Sequence, residues 1–354
     1  MGERTDGRIR AAVVGTGLIG GSVLLGLRRA GLDVSGWDPD PTTRAQARDQ
    51  GLTSPEQLDE AVADRDVVFL CGPLPTLGDT LLRVAGATGD DCVLTDVGST
   101  KAGLAEFAGR HRLDHRFVAG HPMAGTDRAG LTSAVPGLFD AAPWVLCPTG
   151  AGLPAFRWLA GLLLDLFDSR VVPMSATAHD AAVALASHVP HLLAGALAGA
   201  VHRADLSDAV LGLAAGSFRD GTRVAGSPPA RTANMLLANR EQALRQLDEV
   251  RAHLDRLATA LAAADPTRLV GLLQGAESAR TALTGRTVRV EERRFPLADA
   301  ADAEVAYLLG LGERGGHLTG CLVVDGEVHY TCRLPERSTP GAESISGSGI
   351  GPSL

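Results

Sequence analysis

The chain has 354 residues, 45% of them hydrophobic, enough to bury a sizeable core and to suggest two domains, or two plus an appendage. Its formal net charge of -8 comes from interspersed acidic and basic residues, so the basic stripe that nucleic-acid binding requires is missing and small-molecule work is the default. Five scattered cysteines without a CxxC pair argue against a disulfide framework or a zinc site and fit a reducing cytoplasm.

The first residues are polar and carry no apolar signal core, and no run of about eighteen apolar residues appears, so neither a targeting segment nor a membrane span is expected. Residues 9–14 read as a buried strand, followed at once by Gly15-Thr16-Gly17-Leu18-Ile19-Gly20 and by a helix over 21–30. A GxGxxG alone is a weak signal; strand, glycine turn and helix in that order make a dinucleotide site. Gly15 makes the tight turn, Gly17 admits the pyrophosphate, and Gly20 lets helix and strand pack closely, with the phosphates on the helix N-terminus beside Leu18 and Ile19. A second strand over 32–37 ends on Asp38, placed to meet the adenosine ribose hydroxyls. A carboxylate there repels a 2'-phosphate and favours NAD over NADP, with Arg44 nearby as the counterweight.

The alternation continues with a strand over 66–71 ending at Gly72 and Pro73, a strand over 92–97 ending at Ser99, and a strand over 116–120 that delivers His121. Strands over 144–147 and 170–173 are expected to finish the same sheet. Ligands lie at the carboxyl ends of such strands, so Ser99 and His121 share a rim with the cofactor. Ser99 also suits a helix N-cap, and His121 a turn histidine bonded to backbone.

From residue 179 to 283 strand signals give way to alanine- and leucine-rich helical spacing. One long helix over 178–204 is interrupted by Pro190, with His188 and His191 on neighbouring faces so that one packs while the other meets a cleft. Two helix histidines in a domain interface are the plainer alternative. After a helix over 207–215, residues 218–225 read as an exposed turn in which Arg223 can clamp a carboxylate. Helices over 230–264 and 266–283 follow, the first with a stripe of Leu236, Leu237, Leu244, Leu247, Leu254, Leu257 and Leu261 that suggests dimerisation. Beyond residue 285 come a strand over 287–290, a helix over 302–311 and a hairpin turned at Asp325-Gly326. This appendage is expected to pack on the helical domain or to pair its edge with a partner chain, and it resembles half of an amino-acid-sensing ACT module.

Five motifs in order, namely Gly15-Thr16-Gly17-Leu18-Ile19-Gly20, Asp96-Val97-Gly98-Ser99-Thr100-Lys101, His121-Pro122-Met123-Ala124-Gly125, Ser187-His188-Val189-Pro190-His191 and Phe218-Arg219-Asp220-Gly221-Thr222-Arg223, resemble the prephenate/arogenate dehydrogenase family of tyrosine biosynthesis. The resemblance covers residues 9–285. It implies a Rossmann-type α/β nucleotide-binding domain (1–175) joined to an all-α dimerisation domain (176–285), and the residues beyond read as a small α/β C-terminal appendage (286–335) and a disordered tail (336–354). It also implies a cytoplasmic homodimer that oxidatively decarboxylates prephenate, with arogenate or an amino-substituted analogue as the alternative substrate.

By the same resemblance His121 bonds the substrate hydroxyl and serves as its base, Ser99 bonds that histidine and fixes its tautomer, and His191 and Arg223 hold the carboxylates. Thr126, Asp127 and His188 fall on the substrate side; Gly15, Gly17, Leu18, Ile19, Gly20, Asp38, Gly72, Pro73 and Ser99 face NAD. Two positions depart from the family pattern: Asp127 stands where glutamate is usual, and Ser227-Pro228-Pro229 replaces Ser-Asp-Pro. Two rivals are weaker. A β-hydroxyacid dehydrogenase uses a lysine in its helical domain, and the chain's only lysine is Lys101. A non-catalytic NAD-sensing dimer needs none of Ser99, His121, His191 and Arg223.

Overall fold

The computed structural model describes residues 8–125 and 128–336. The chain opens with strand β1 (Arg10–Val14), helix α1 (Leu18–Arg29), β2 (Asp33–Trp37), α2 (Pro41–Asp49), α3 (Leu58–Val62), β3 (Val67–Leu70), α4 (Leu77–Ala87), β4 (Val93–Asp96), α5 (Ala102–Arg110) and β5 (Phe117–Val118). These strands form one parallel sheet in the order β2-β1-β3-β4-β5. Its central strand β3 is a continuous apolar run with no exposure, as a sheet covered on both faces demands. Helix α1 starts at Leu18, three residues earlier than the sequence suggests, so its open N-terminus comes directly off the glycine turn.

The remaining strands do not extend this sheet as expected. Strands β6 (Gly120–Pro122), β7 (Pro143–Leu146) and β8 (Arg170–Pro173), with helix α6 (Leu153–Phe167) between the last two, begin a second sheet. Apolar runs identify strands but carry no information about which neighbour each will pair with. A cluster of Phe139, Trp144 and Phe167, with Trp144 5.2 Å and 5.9 Å from the other two rings, joins the second sheet to the core of the first.

Helices α7 (Ala176–Val183), α8 (Val189–His202), α9 (Ser207–Leu213), α10 (Gly216–Thr222), α11 (Pro229–Ala238), α12 (Arg240–Ala262) and α13 (Pro266–Thr284) make the helical region. The expected kink at Pro190 is a π-helical turn, Ala184–His188, between α7 and α8. The expected exposed turn around Arg223 is instead α10 followed by a 3-10 turn, Arg223–Gly226, packed on α8. The expected helix over 230–264 breaks at Asn239, whose side chain is buried. The stretch Ala176–His202 is long and apolar enough to cross a membrane by length and composition, although polar residues interrupt it and no unbroken apolar run of that length occurs. Its polar members His179, Asp180 and His188 are buried, while Leu185, Leu193 and Leu197 are exposed.

The C-terminal segment does not pack on the helical region, as the sequence had suggested. After β9 (Val288–Pro296) and α14 (Ala301–Glu313), β10 (His317–Val324) pairs antiparallel with β8, and β11 (Glu327–Pro335) lies between β10 and β9. The second sheet therefore runs β6-β7-β8-β10-β11-β9. Strand β8 would otherwise end the sheet with unpaired backbone groups, and β10 satisfies them. A buried ion pair anchors the junction: Arg157 on α6 holds Glu304 on α14, Nε at 2.9 Å, and the Tyr330 hydroxyl donates to the same carboxylate at 2.7 Å. Gly312 lies so close to the Pro173 carbonyl that any Cβ there would collide with it. The hairpin turns at Asp325 and Gly326, both at positive φ as a two-residue turn of this hand requires.

Candidate active site

Gly15 has φ +93° and donates its N–H to the Trp37 carbonyl at 2.7 Å, turning the chain sharply at the carboxyl end of β1. A Cβ on Gly20 would lie 1.9 Å from the Gly15 carbonyl oxygen, so only glycine allows α1 to approach the strand this closely. A Cβ on Gly17 meets nothing within 4 Å, which leaves open space over the N-terminus of α1 where a pyrophosphate fits. Asp38 accepts from the Thr16 N–H at 2.8 Å and the Asp40 N–H at 3.0 Å, which fixes its carboxylate beside the turn. Arg44 is engaged elsewhere: it donates to the Asp38 and Pro39 carbonyls, bridges to Glu56 at 2.8 Å and lies over the Trp37 ring. Gly72, half-buried, follows β3 against the same turn, and Pro73 beside it is exposed.

Asp96, at the end of β4, is fully buried and collects three donors. These are the N–H of Gly98 at 2.8 Å, the N–H of Gly120 at 3.1 Å and the ammonium of Lys101. Lys101, equally buried, also donates to the Gly120 carbonyl at 2.7 Å. The carboxylate and the ammonium thus tie the loop carrying Ser99 to the strand carrying His121. That strand is β6, paired with β7 at His121↔Val145; the histidine stands within a short strand and not in the turn that the sequence suggested.

The imidazole of His121 meets the helical region through a second histidine. His121 Nδ1 lies 2.9 Å from Nε2 of His179 on α7, and His179 Nδ1 lies 2.8 Å from Asp180. Asp180 also accepts the N–H groups of Lys101 at 2.7 Å and Ala102 at 2.9 Å, capping α5 from another element. Burial pushes the Asp180 carboxyl up, but the hydrogen bonds from His179, Ala102 and Lys101 outweigh it and hold it below its usual value. Burial foremost, then the charges at His179, Lys101 and His188, holds His121 well below the ordinary histidine range, so its ring is neutral near neutral pH. Asn239 donates its amide to the Asp180 carbonyl at 2.7 Å and lies 3.1 Å from Nδ1 of His188. Burial lowers His188 to about 4, against the raising effect of Asp180.

Of the expected substrate residues, His188 is the buried member of its pair and His191 the half-exposed one, its Nδ1 2.9 Å from the Ser187 carbonyl. Arg223 is exposed and makes no ion pair among the described residues. Thr126 and Asp127 lie outside the described residues. Ser99 is half-buried on the rim, yet among the described residues no hydrogen bond joins it to His121. The ring nitrogen that Ser99 was expected to govern belongs to His179. Sequence reasoning missed His179, Asp180 and Asn239, and passed over Asp96 and Lys101 as motif filler. The single lysine in the chain, set five residues after an aspartate at a strand end, was a usable signal for the last two.

A family model described as the nucleotide-binding domain of prephenate dehydrogenase matches residues 24–171, and one described as its dimerization domain matches residues 175–275. A cyclohexadienyl dehydrogenase of Zymomonas mobilis is 32% identical over 279 residues, 77% of this chain and 95% of that protein. The arogenate dehydrogenase of Synechocystis superposes with a TM-score of 0.68 at 31% identity, over 78% of this chain and 100% of that one. The prephenate dehydrogenase of Aquifex aeolicus, solved with hydroxyphenyl propionate and NAD+, superposes with a TM-score of 0.72 at 26% identity, over 79% of this chain and 100% of that one. The five-motif resemblance is thereby established: the chain belongs to the prephenate dehydrogenase family and is an oxidoreductase that uses a nicotinamide cofactor.

Proposed function

We propose that this enzyme oxidatively decarboxylates prephenate to 4-hydroxyphenylpyruvate with NAD as hydride acceptor. The observation that carries this reading is a neutral imidazole, His121, tied through the Gly120 N–H to Asp96 at the end of β4, in the region whose β1 ends in a glycine turn shaped for a dinucleotide. The cofactor supplies a ring that takes up a hydride. Residues Gly15, Gly17, Leu18, Ile19 and Gly20 would hold its pyrophosphate, Asp38 would meet its ribose, and Gly72, Pro73 and Ser99 would border it. Asp38 without a free arginine beside it supports NAD over NADP, because Arg44 is committed to Glu56 and backbone carbonyls.

His121 Nε2 accepts the proton of the substrate hydroxyl, a positioned transfer worth on the order of 10²–10⁴-fold. Arg223 and His191 orient the carboxylates, and aromatisation drives loss of carbon dioxide without a further protein group. The protein works as a homodimer, supported by the matched dimerization domain and by the exposed face of Leu237, Leu244, Leu254 and Leu261. A cytoplasmic location belongs to the same reading, supported by five free cysteines.

The test is reduction of NAD, followed by absorbance, with prephenate and with arogenate, and again with NADP. Turnover with prephenate and NAD is expected. Turnover with arogenate alone would move the substrate, and none with either would remove the activity.

A further inference from the structure

Three polar side chains behind the catalytic imidazole form one line: Asp180 Oδ1, His179 and His121, joined at 2.8 Å and 2.9 Å. His179 is fully buried and Asp180 nearly so, and they reach His121 from a different region of the chain. We propose that His179, oriented by Asp180, is the positioning residue that fixes His121 as the Nδ1–H tautomer, and so presents Nε2 to the substrate as the proton acceptor.

The assignment follows from donor and acceptor accounting. A carboxylate only accepts, and Asp180 already takes two backbone N–H groups, so the proton between it and His179 is carried on His179 Nδ1. With that single ring proton on Nδ1, His179 offers only a lone pair at Nε2. The neighbouring Nδ1 of His121 must therefore be the donor, and the lone pair of that ring moves to Nε2. Were His121 in the opposite tautomer, two lone pairs would face each other at 2.9 Å in a buried site.

The arrangement also serves the reaction step, on the reading given above. The substrate hydroxyl proton binds at His121 Nε2, the hydride leaves with its electron pair to the cofactor, carbon dioxide departs as the ring becomes an aromatic phenolate, and the proton returns from His121 to the phenolate oxygen. The imidazolium formed keeps its Nδ1–H bonded to His179, whose own N–H bonds to the Asp180 carboxylate. One negative charge is thus held two bonds behind the new positive one, while Lys101 is occupied by Asp96 and the Gly120 carbonyl. His188, the other titratable group close by, stays neutral above about pH 4.

Two variants separate positioning from simple packing. Asp180→Asn removes the charge behind His179 and, with its amide N–H turned to the ring, makes His179 accept at Nδ1 and donate from Nε2, which turns His121 to the unproductive tautomer. We expect kcat to fall about 100-fold with the KM for prephenate within about threefold. His179→Leu should fall similarly, and His179→Gln, whose amide can accept from His121 while donating to Asp180, should recover at least tenfold over leucine. Nitrogen-15 spectra of the histidine-labelled full-length protein read the tautomer without any substrate, with His121→Asn identifying the signal. The expected result is Nδ1–H in the wild type and Nε2–H in Asp180→Asn. A wild-type ring in the Nε2–H form, or kcat within threefold in His179→Leu, overturns the proposal. Because the spectra need no turnover, inactivity toward prephenate with the expected tautomer would count against the substrate assignment alone.

Discussion

The nucleotide-binding region and the helical region solve the problem of burial differently. In the first, β1, β3 and the second sheet share one core, and Val13, Phe69, Trp144 and Phe156 have no exposure. In the second, Leu237 is 69% exposed and Leu261 70%, on helices that bury few side chains in a single copy. One region is complete within the chain; the other leaves much of its apolar face uncovered. The site lies where the two meet, and Asp180 is the link, since its carboxylate holds the N-terminus of α5 while its neighbour His179 holds His121. The less self-sufficient region thus orients the reactive group of the more rigid one.

The largest expected effect tests how completely the C-terminal segment belongs to the first core. Arg157→Ala leaves the Glu304 carboxylate buried without its cation and should cost about 3–5 kcal/mol in chemical denaturation. Arg293→Ala, which removes an exposed pair with Glu291 and a contact over the Tyr307 ring, should cost no more than about 1 kcal/mol. Equal effects would show that the segment is a separate appendage.

Next comes His121→Asn, which should keep NAD affinity and lose at least about 100-fold in turnover; unchanged turnover would remove His121 from the chemistry. Acid should then loosen the helical side first. His188 has a folded value of about 4 against an unfolded value of 6.5, so the unfolded chain binds the proton more readily. The stabilisation is fully present above pH 6.5 and is lost as pH falls toward 4, on the order of 1 kcal/mol by pH 5 once solvent screening is allowed for. Denaturation midpoints of the wild type and His188→Asn across that window should show a shallower slope in the variant. The smallest effect is expected at Arg223→Ala, an about tenfold rise in KM with kcat nearly unchanged, and a pure turnover defect would contradict its role as a carboxylate clamp.

The parallel sheet and the glycine turn were legible because their signals are local: a strand, three glycines and a helix in succession. His121 and Ser99 were legible through motif and strand-end position. The second sheet was not, because the pairing of Leu318 with Val171 joins segments whose partnership no pattern announces. His179 and Asp180 open an alanine-rich helix and look like its solvent-facing first turn; only the fold brings the nucleotide-binding region over them. Asn239 read as a helix interior, yet its buried amide is spent on Asp180 and His188, and the helix breaks there. The role first given to Ser99 shows the same limit. A motif places a residue on the rim but does not say which ring nitrogen it meets.

The central claim is that His121 from one region and Arg223 from the other grip a single small diacid beside the nicotinamide. The most direct measurement is a structure of the full chain with NAD+ and 4-hydroxyphenylpyruvate. The account predicts the phenol O–H donating to His121 Nε2 and the carboxylate on Arg223 of the same ligand. A ligand bound by one of these two side chains, with the other turned to separate solvent, would contradict it.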